Sequence, residues 1–242
     1  MYILMDNVAI VSKETFKRIV KDVKDITKEP LTEQNIFYQH DETNILKGNA
    51  MIIGAKDTCY HNGFFFFEFN FPYNYPWAPP KVLYNTNDGT TRFNPNLYRD
   101  GKVCLSVLNT WKGEPWSSCQ TIKSILLILQ TVLNNEPLLN EPGISKEHYD
   151  FNSYNEFIKF KTYEYALFNQ YIKDNNQFEI FRNDMKNYVA KNKSNIIEEL
   201  KQLNTYTKNK YTTYNPVIKV RIYCIETVID YEALIQKEKY LI

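Results

Sequence analysis

"GFFFFEFNFPYNYPWAPPKVLYNT" spans residues 63–86, and its two halves impose different conformations. In the first half Phe65, Phe67, Phe69 and Phe71 alternate with Phe66, Glu68 and Asn70. A period of two sends alternate side chains to opposite faces of an extended chain, so this half reads as a strand with one strongly buried face. In the second half Pro72, Pro76, Pro79 and Pro80 fix φ and bar a helix, which leaves an extended path. "KVLYNT" (81–86) then reads as a further short strand.

Working outward, "NIFYQHD" (35–41) and "NILKGNAMIIGA" (44–55) are strand-like and joined by a short polar turn. Sequential strands with short connections favour an antiparallel meander, here of four strands. Before them, "SKETFKRIVKDVKDITKE" (12–29) repeats Phe16, Ile19, Val20, Val23 and Ile26 at three- and four-residue spacing, a helix with one apolar face that Pro30 ends. After them, "TIKSILLILQTVLN" (121–134) is apolar on nearly all sides and reads as a buried helix. Helices are also expected over 153–173 and from about 177 to 203. Residues 204–215 are polar and low in complexity, a linker or mobile loop, and 216–242 read as a strand followed by a helix.

Composition sets bounds on function. The 242 residues are 43% hydrophobic, 24% charged and 15% aromatic, as expected of a globular protein with a sizeable core. A net charge of +1 gives no global field toward nucleic acid or a membrane surface. Cys59, Cys104, Cys119 and Cys224 are dispersed with no CxxC pair, which argues against a zinc site and a disulfide framework. No window is long and apolar enough to span a bilayer, and "MYILMDNVAIVSKE" lacks the basic flank of a secretory signal. The expected setting is reducing and intracellular. The sequence has no GxxxxGK[ST] phosphate loop and no HExxH pair.

Residues 87–121 show little periodicity, and a loop of that length in a compact domain is usually functional. It carries "DGKVCLSVLNTW" (100–111), with Cys104 just past an Asp-Gly turn. Taken alone, such a cysteine is more often a small buried hydrophobe than a nucleophile.

Two longer motifs change that reading. "FPYNYPWAPPKV" (71–82) and "FNPNLYRDGKVCLSVL" (93–108) resemble the FPxxYPxxPPKV and HPNxxxxGxxCLxxL segments of ubiquitin-conjugating enzymes. The resemblance runs from about residue 12 to about 173. It implies an α+β UBC fold: an N-terminal helix, a four-stranded antiparallel meander, an active-site loop, then C-terminal helices. The expected division is a core over 8–174 and a C-terminal extension over 175–242. "NTWKGEPW" (109–116) and "NEPG" (140–143) are similar to a branch of large conjugating enzymes with an extended active-site loop, in which Trp111 and Trp116 would anchor the insert.

The resemblance implies that Cys104 carries ubiquitin as a thioester and yields it to a substrate lysine. A cysteine suits both steps, being partly thiolate near neutrality and a good leaving group. Asn96 stands at the motif asparagine, either to donate to the oxyanion or to brace the loop. Asn94 replaces the motif histidine, a position with a structural role. Glu136, before Pro137 and Leu138, stands where the family orients the incoming amine; an ordinary loop carboxylate is the alternative. Ser106 occupies a position where many members have Asp, which removes one carboxylate from any paired acidic gate.

The implied partners are ubiquitin or a ubiquitin-like modifier, an activating enzyme, a RING or HECT ligase and a protein substrate lysine, with no nucleic acid and no membrane. Lys17, Arg18 and Lys21 match the activating-enzyme face, or are a solvated charged face. Trp77, with Ser117 and Ser118, matches the ligase-binding loops; Trp77 packed into the core is the alternative. No cofactor or metal is expected, since ATP is used by the activating enzyme. The expected location is cytoplasmic or nuclear, in a host cell if the chain is virus-encoded. A non-catalytic binding module is the competing class.

Overall fold

A computed structural model describes residues 11–173 and 177–242. The expected boundaries at residue 8 and at residues 174–175 lie outside the described residues. The chain opens with α1 (Lys13–Lys28), capped by Ser12, whose hydroxyl accepts the Thr15 N–H. Its inward face is Thr15, Ile19, Asp22 and Ile26. Phe16, expected on the apolar face, is exposed.

Strands β1 (Ile36–His40), β2 (Lys47–Ile53), β3 (Phe64–Asn70) and β4 (Lys81–Tyr84) form an antiparallel meander in that spatial order. The proline-fixed segment links β3 to β4, and its Tyr75–Pro76 bond is cis. Helix α2 (Ile122–Val132) buries Ile122, Ile125, Leu126 and Leu129 and starts with a capping box between Thr121 and Ser124.

The single buried face expected of β3 is corrected: Phe64, Phe65, Phe66 and Phe67 are all buried. The cause is the C-terminal part of the chain, which covers the second face. Phe66 stacks on Phe178 with ring centroids 4.6 Å apart, and Phe64 packs edge-on against Tyr188. Aromatic pairs of this kind contribute roughly 0.5–1.5 kcal/mol each beyond their buried area.

Helix α3 (Phe151–Lys161) continues through a π-helical stretch, Thr162–Asn169, into α4 (Gln170–Ile172). Helix α5 (Arg182–Lys210) is longer than expected and absorbs half of the stretch read as a linker. That stretch has no Pro or Gly before Pro216 to stop a helix, and Lys208–Glu232 and Lys210–Glu156 ion pairs hold its end. The tail is also corrected: β5 (Val217–Val220) and β6 (Ile225–Val228) form a hairpin, followed by the short α6 (Tyr231–Ile235).

Candidate active site

The "DG" turn at Asp100–Gly101 reverses the chain between Leu97 and Val103, which pair as an isolated antiparallel bridge. This sets Cys104 beside Asn96. The Cys104 N–H donates to the Asn96 carbonyl at 2.8 Å, and the Asn96 Nδ2 donates to the Cys104 carbonyl at 2.7 Å. Asn94 is the hub beneath them. Fully buried, it accepts the Asn96 N–H at 2.9 Å and donates to the Tyr60 hydroxyl and the Val132 carbonyl. The buried Asn94 side chain is therefore hydrogen-bonded through both its oxygen and its nitrogen, as burial requires.

Cys104 is only 3% exposed, and its Sγ lies 3.1 Å from the Thr110 carbonyl, which accepts the thiol proton. The Thr110 hydroxyl in turn accepts the Leu105 N–H at 2.8 Å. Beyond it, the insert is pinned by Trp116, whose backbone N–H donates to the Asn109 Oδ1 and whose indole Nε1 donates to the Pro76 carbonyl at 2.7 Å. Trp111 is half exposed, so the anchoring expected of both tryptophans falls to Trp116 alone. Gly113, at φ +136°, passes so close to Ser106 that a Cβ there would lie 3.0 Å from the serine Cβ.

Burial raises the Cys104 thiol above its ordinary pKa, and Glu141 adds to the rise; Lys102, Tyr98 and Arg92 oppose it. The resting group is a thiol rather than a thiolate. Arg92 stacks on the Tyr98 ring with its guanidinium carbon 3.4 Å from the centroid.

Glu136 is brought less directly into this site. It precedes the 3₁₀ turn Pro137–Asn140, and its carboxylate pairs with Lys146. Among the described residues no hydrogen bond joins it to the Cys104 loop. Glu141 is the carboxylate whose charge adds, more weakly than burial, to the rise in the thiol pKa, and it was not among the candidates expected from the sequence. The signal was present in "NNEPLLNEPG" (134–143), which holds two glutamates.

Lys17 and Lys21 are exposed on α1, whereas Arg18 turns inward. Arg18 pairs with the buried Asp22 at 2.9 Å and donates to the Ser118 and Gln120 carbonyls. Trp77 is 65% exposed, so the packed-core alternative for it is excluded. Trp77, Lys17, Arg18, Lys21 and Ser118 line one shallow depression of about 610 Å³, with Ser117 exposed next in sequence to Ser118. A second groove of about 480 Å³ is lined by Val82, Lys102, Val103, Leu108 and Thr110, among them the neighbour of Cys104 in sequence and the residue whose carbonyl accepts its thiol proton. A larger cleft of about 750 Å³ lies between α3 and α5 and does not include Cys104.

Among the described residues no group of three or more His, Cys, Asp or Glu is placed to hold a metal ion, and no helix is long and apolar enough to cross a membrane.

An α+β meander with a thiol on a braced loop is the architecture the two motifs call for. The family model described as "Ubiquitin-conjugating enzyme" matches residues 18–163, and the chain belongs to that family. It is 43% identical over 159 residues to ubiquitin-conjugating enzyme E2 Z of Danio rerio, covering 64% of this chain and 48% of the relative. It is 44% identical over 153 residues to ubiquitin-conjugating enzyme E2 Z of Homo sapiens, covering 62% and 43%. It is 36% identical over 180 residues to a probable ubiquitin-conjugating enzyme of Caenorhabditis elegans, protein 17, covering 69% and 25%. The matched segments span about half or less of the length of these relatives.

Proposed function

We propose that the chain accepts ubiquitin from an activating enzyme as a thioester on Cys104 and transfers it to a lysine amine, with residues 8–174 as the catalytic core and 175–242 as an extension. The observation that carries this reading is the Cys104 backbone held by two hydrogen bonds with Asn96 inside the segment that matches the family.

In the charging step the Cys104 sulfur attacks the activated carbonyl, its proton leaves, and the activating enzyme's thiolate departs. In the transfer step a neutral lysine attacks the new thioester, the C–N bond forms and the Cys104 thiolate leaves. Both steps pass through an oxyanion. One Asn96 amide hydrogen is committed to bracing the loop, and the other remains for the oxyanion. Glu136 orients the incoming lysine, a role that its pairing with the Lys146 ammonium supports. Thioester exchange needs no cofactor on this chain, because the activating enzyme spends the ATP.

Trp77 and the Ser117–Ser118 segment serve the ligase, since an exposed aromatic beside a depression is what a binding anchor requires. Lys17 and Lys21 serve the activating enzyme, and Arg18 shapes that surface through Ser118 and Gln120. Such partners imply an intracellular location. The test is charging with a panel of activating enzymes and modifiers. An ATP-dependent adduct that a reducing agent removes is expected, and no adduct with any pair would refute the reading.

A further inference from the structure

Ser106 leaves the site without the carboxylate that many family members place two residues after the cysteine. The C-terminal hairpin reaches the same neighbourhood from the far end of the chain. Its tip, Arg221–Tyr223, is held in three ways. The Ile222 N–H donates to the Asp150 carboxylate at 2.8 Å, Arg99 donates to the Tyr223 carbonyl at 2.7 Å, and the Tyr223 ring packs on Tyr154. The Tyr223 hydroxyl then donates to Glu141 Oε2 at 2.6 Å.

Glu141 is tied to the Cys104 strap through its neighbour. Asn140 Nδ2 lies 3.3 Å from Asn94 Oδ1, the same oxygen that accepts the Asn96 N–H. Glu141 is half-buried, and its Oε1 has no hydrogen-bond partner among the described residues. The carboxylate thus has one oxygen fixed and one available. Arg92 faces both Tyr98 and Tyr223, with its guanidinium carbon 5.7 Å from the Tyr223 centroid, so the hairpin touches the cationic side of the thiol's surroundings as well.

We infer that Glu141, positioned by Tyr223 of the C-terminal hairpin, is the second carboxylate of the lysine-accepting gate, so that the extension completes the active site. This rests on the thioester reading above. The incoming ammonium pairs with Glu141 Oε1. The ammonium first yields one proton to Glu141 and on to water. The neutral amine then attacks the thioester carbonyl, the C–N bond forms, the C–S bond breaks, and the second amine proton leaves to water. The departing Cys104 thiolate is reprotonated from solvent. Tyr223 is a positioning residue. Burial and its bond to Glu141 hold its hydroxyl well above the usual tyrosine range, so it stays a donor throughout.

The other charged or titratable groups facing Glu141 and the thiol are Arg92, Tyr98 and Lys102 on the active-site segment; Arg99 and Asp150 hold the hairpin backbone. The test is single-turnover discharge of isolated thioester to free lysine, across pH 7 to 9.5, in the full chain. Glu141→Gln is expected to slow discharge about tenfold at pH 7, and Tyr223→Phe about threefold. Both deficits should shrink toward pH 9.5, where free lysine supplies more neutral amine unaided. A merely structural loss would lower the rate equally at every pH and would overturn the inference, as would unchanged rates in both variants. If the unsubstituted chain forms no thioester, the transferase reading fails and this inference with it. If it forms one and both variants discharge normally, this inference alone fails.

Discussion

Asn96 and Cys104 are joined by two hydrogen bonds, one from each residue to the other's carbonyl, at 2.7 and 2.8 Å. The side-chain amide therefore acts first on the loop that carries the thiol. Asn96→Ala removes one such bond and should cost about 1 kcal/mol of stability. Asn96→Asp should cost more, because it points a carboxylate at a carbonyl acceptor. Urea unfolding of the two variants checks the order; an aspartate variant as stable as the wild type would mean that the brace is not formed.

Arg18 and its neighbours on α1 should separate cleanly. Arg18→Ala leaves Asp22, which is 2% exposed, without its cationic partner; only the Tyr75 hydroxyl bond remains, at 2.5 Å. A loss of about 3 kcal/mol follows. Lys17→Ala and Lys21→Ala should change stability by no more than about 0.5 kcal/mol. Thermal melts of the three single variants measure this.

The contact between the core and α5 should respond to acid. His61 and Glu199 are 2.8 Å apart. Burial pushes the Glu199 carboxyl up, but hydrogen bonds with His61 and Tyr163 more than offset it, and its folded pKa lies below the ordinary value. A carboxyl depressed on folding stabilises fully above its unfolded pKa, and that contribution fades as pH falls through the folded value. Stability should therefore decline below about pH 4.5, and Glu199→Gln should flatten the slope there. Melting temperatures from pH 3 to 6 provide the comparison; identical slopes would exclude Glu199 as a contributor.

Cysteine labelling should follow burial. Cys104 is buried with a raised pKa, whereas Cys119 and Cys224 are exposed. At pH 7.5 iodoacetamide should modify Cys104 more slowly than either of them, and Glu141→Gln should quicken Cys104, because a charge that raises its pKa is gone. Peptide mass spectrometry reads all three rates.

The meander, α1 and α2 were legible in the sequence because periodicity and proline punctuation are local signals. Cys104 and Asn96 were legible because one turn brings them together. What escaped depends on distant chain. Phe66 reads as the minor face of β3 until Phe178 covers it. The β5–β6 hairpin turns at Cys224 with φ +50°, where no Gly, Asn or Asp announces the reversal. Arg18 reads as one of a row of surface cations, and the Ser118 and Gln120 carbonyls, about a hundred residues away, join the buried Asp22 in turning it inward. Glu141 became distinguishable from Glu136 only through Tyr223 and Lys146, which pair with them from other parts of the fold.

The most direct measurement of the central claim is the position of the modifier on the charged chain. After charging with activating enzyme, ATP and ubiquitin, the adduct is digested under non-reducing conditions and mapped by tandem mass spectrometry. A reducible thioester on Cys104 is expected, and Cys104→Ser should eliminate it. An adduct on Cys119 or Cys224, or one that resists reduction in the unsubstituted chain, would contradict it.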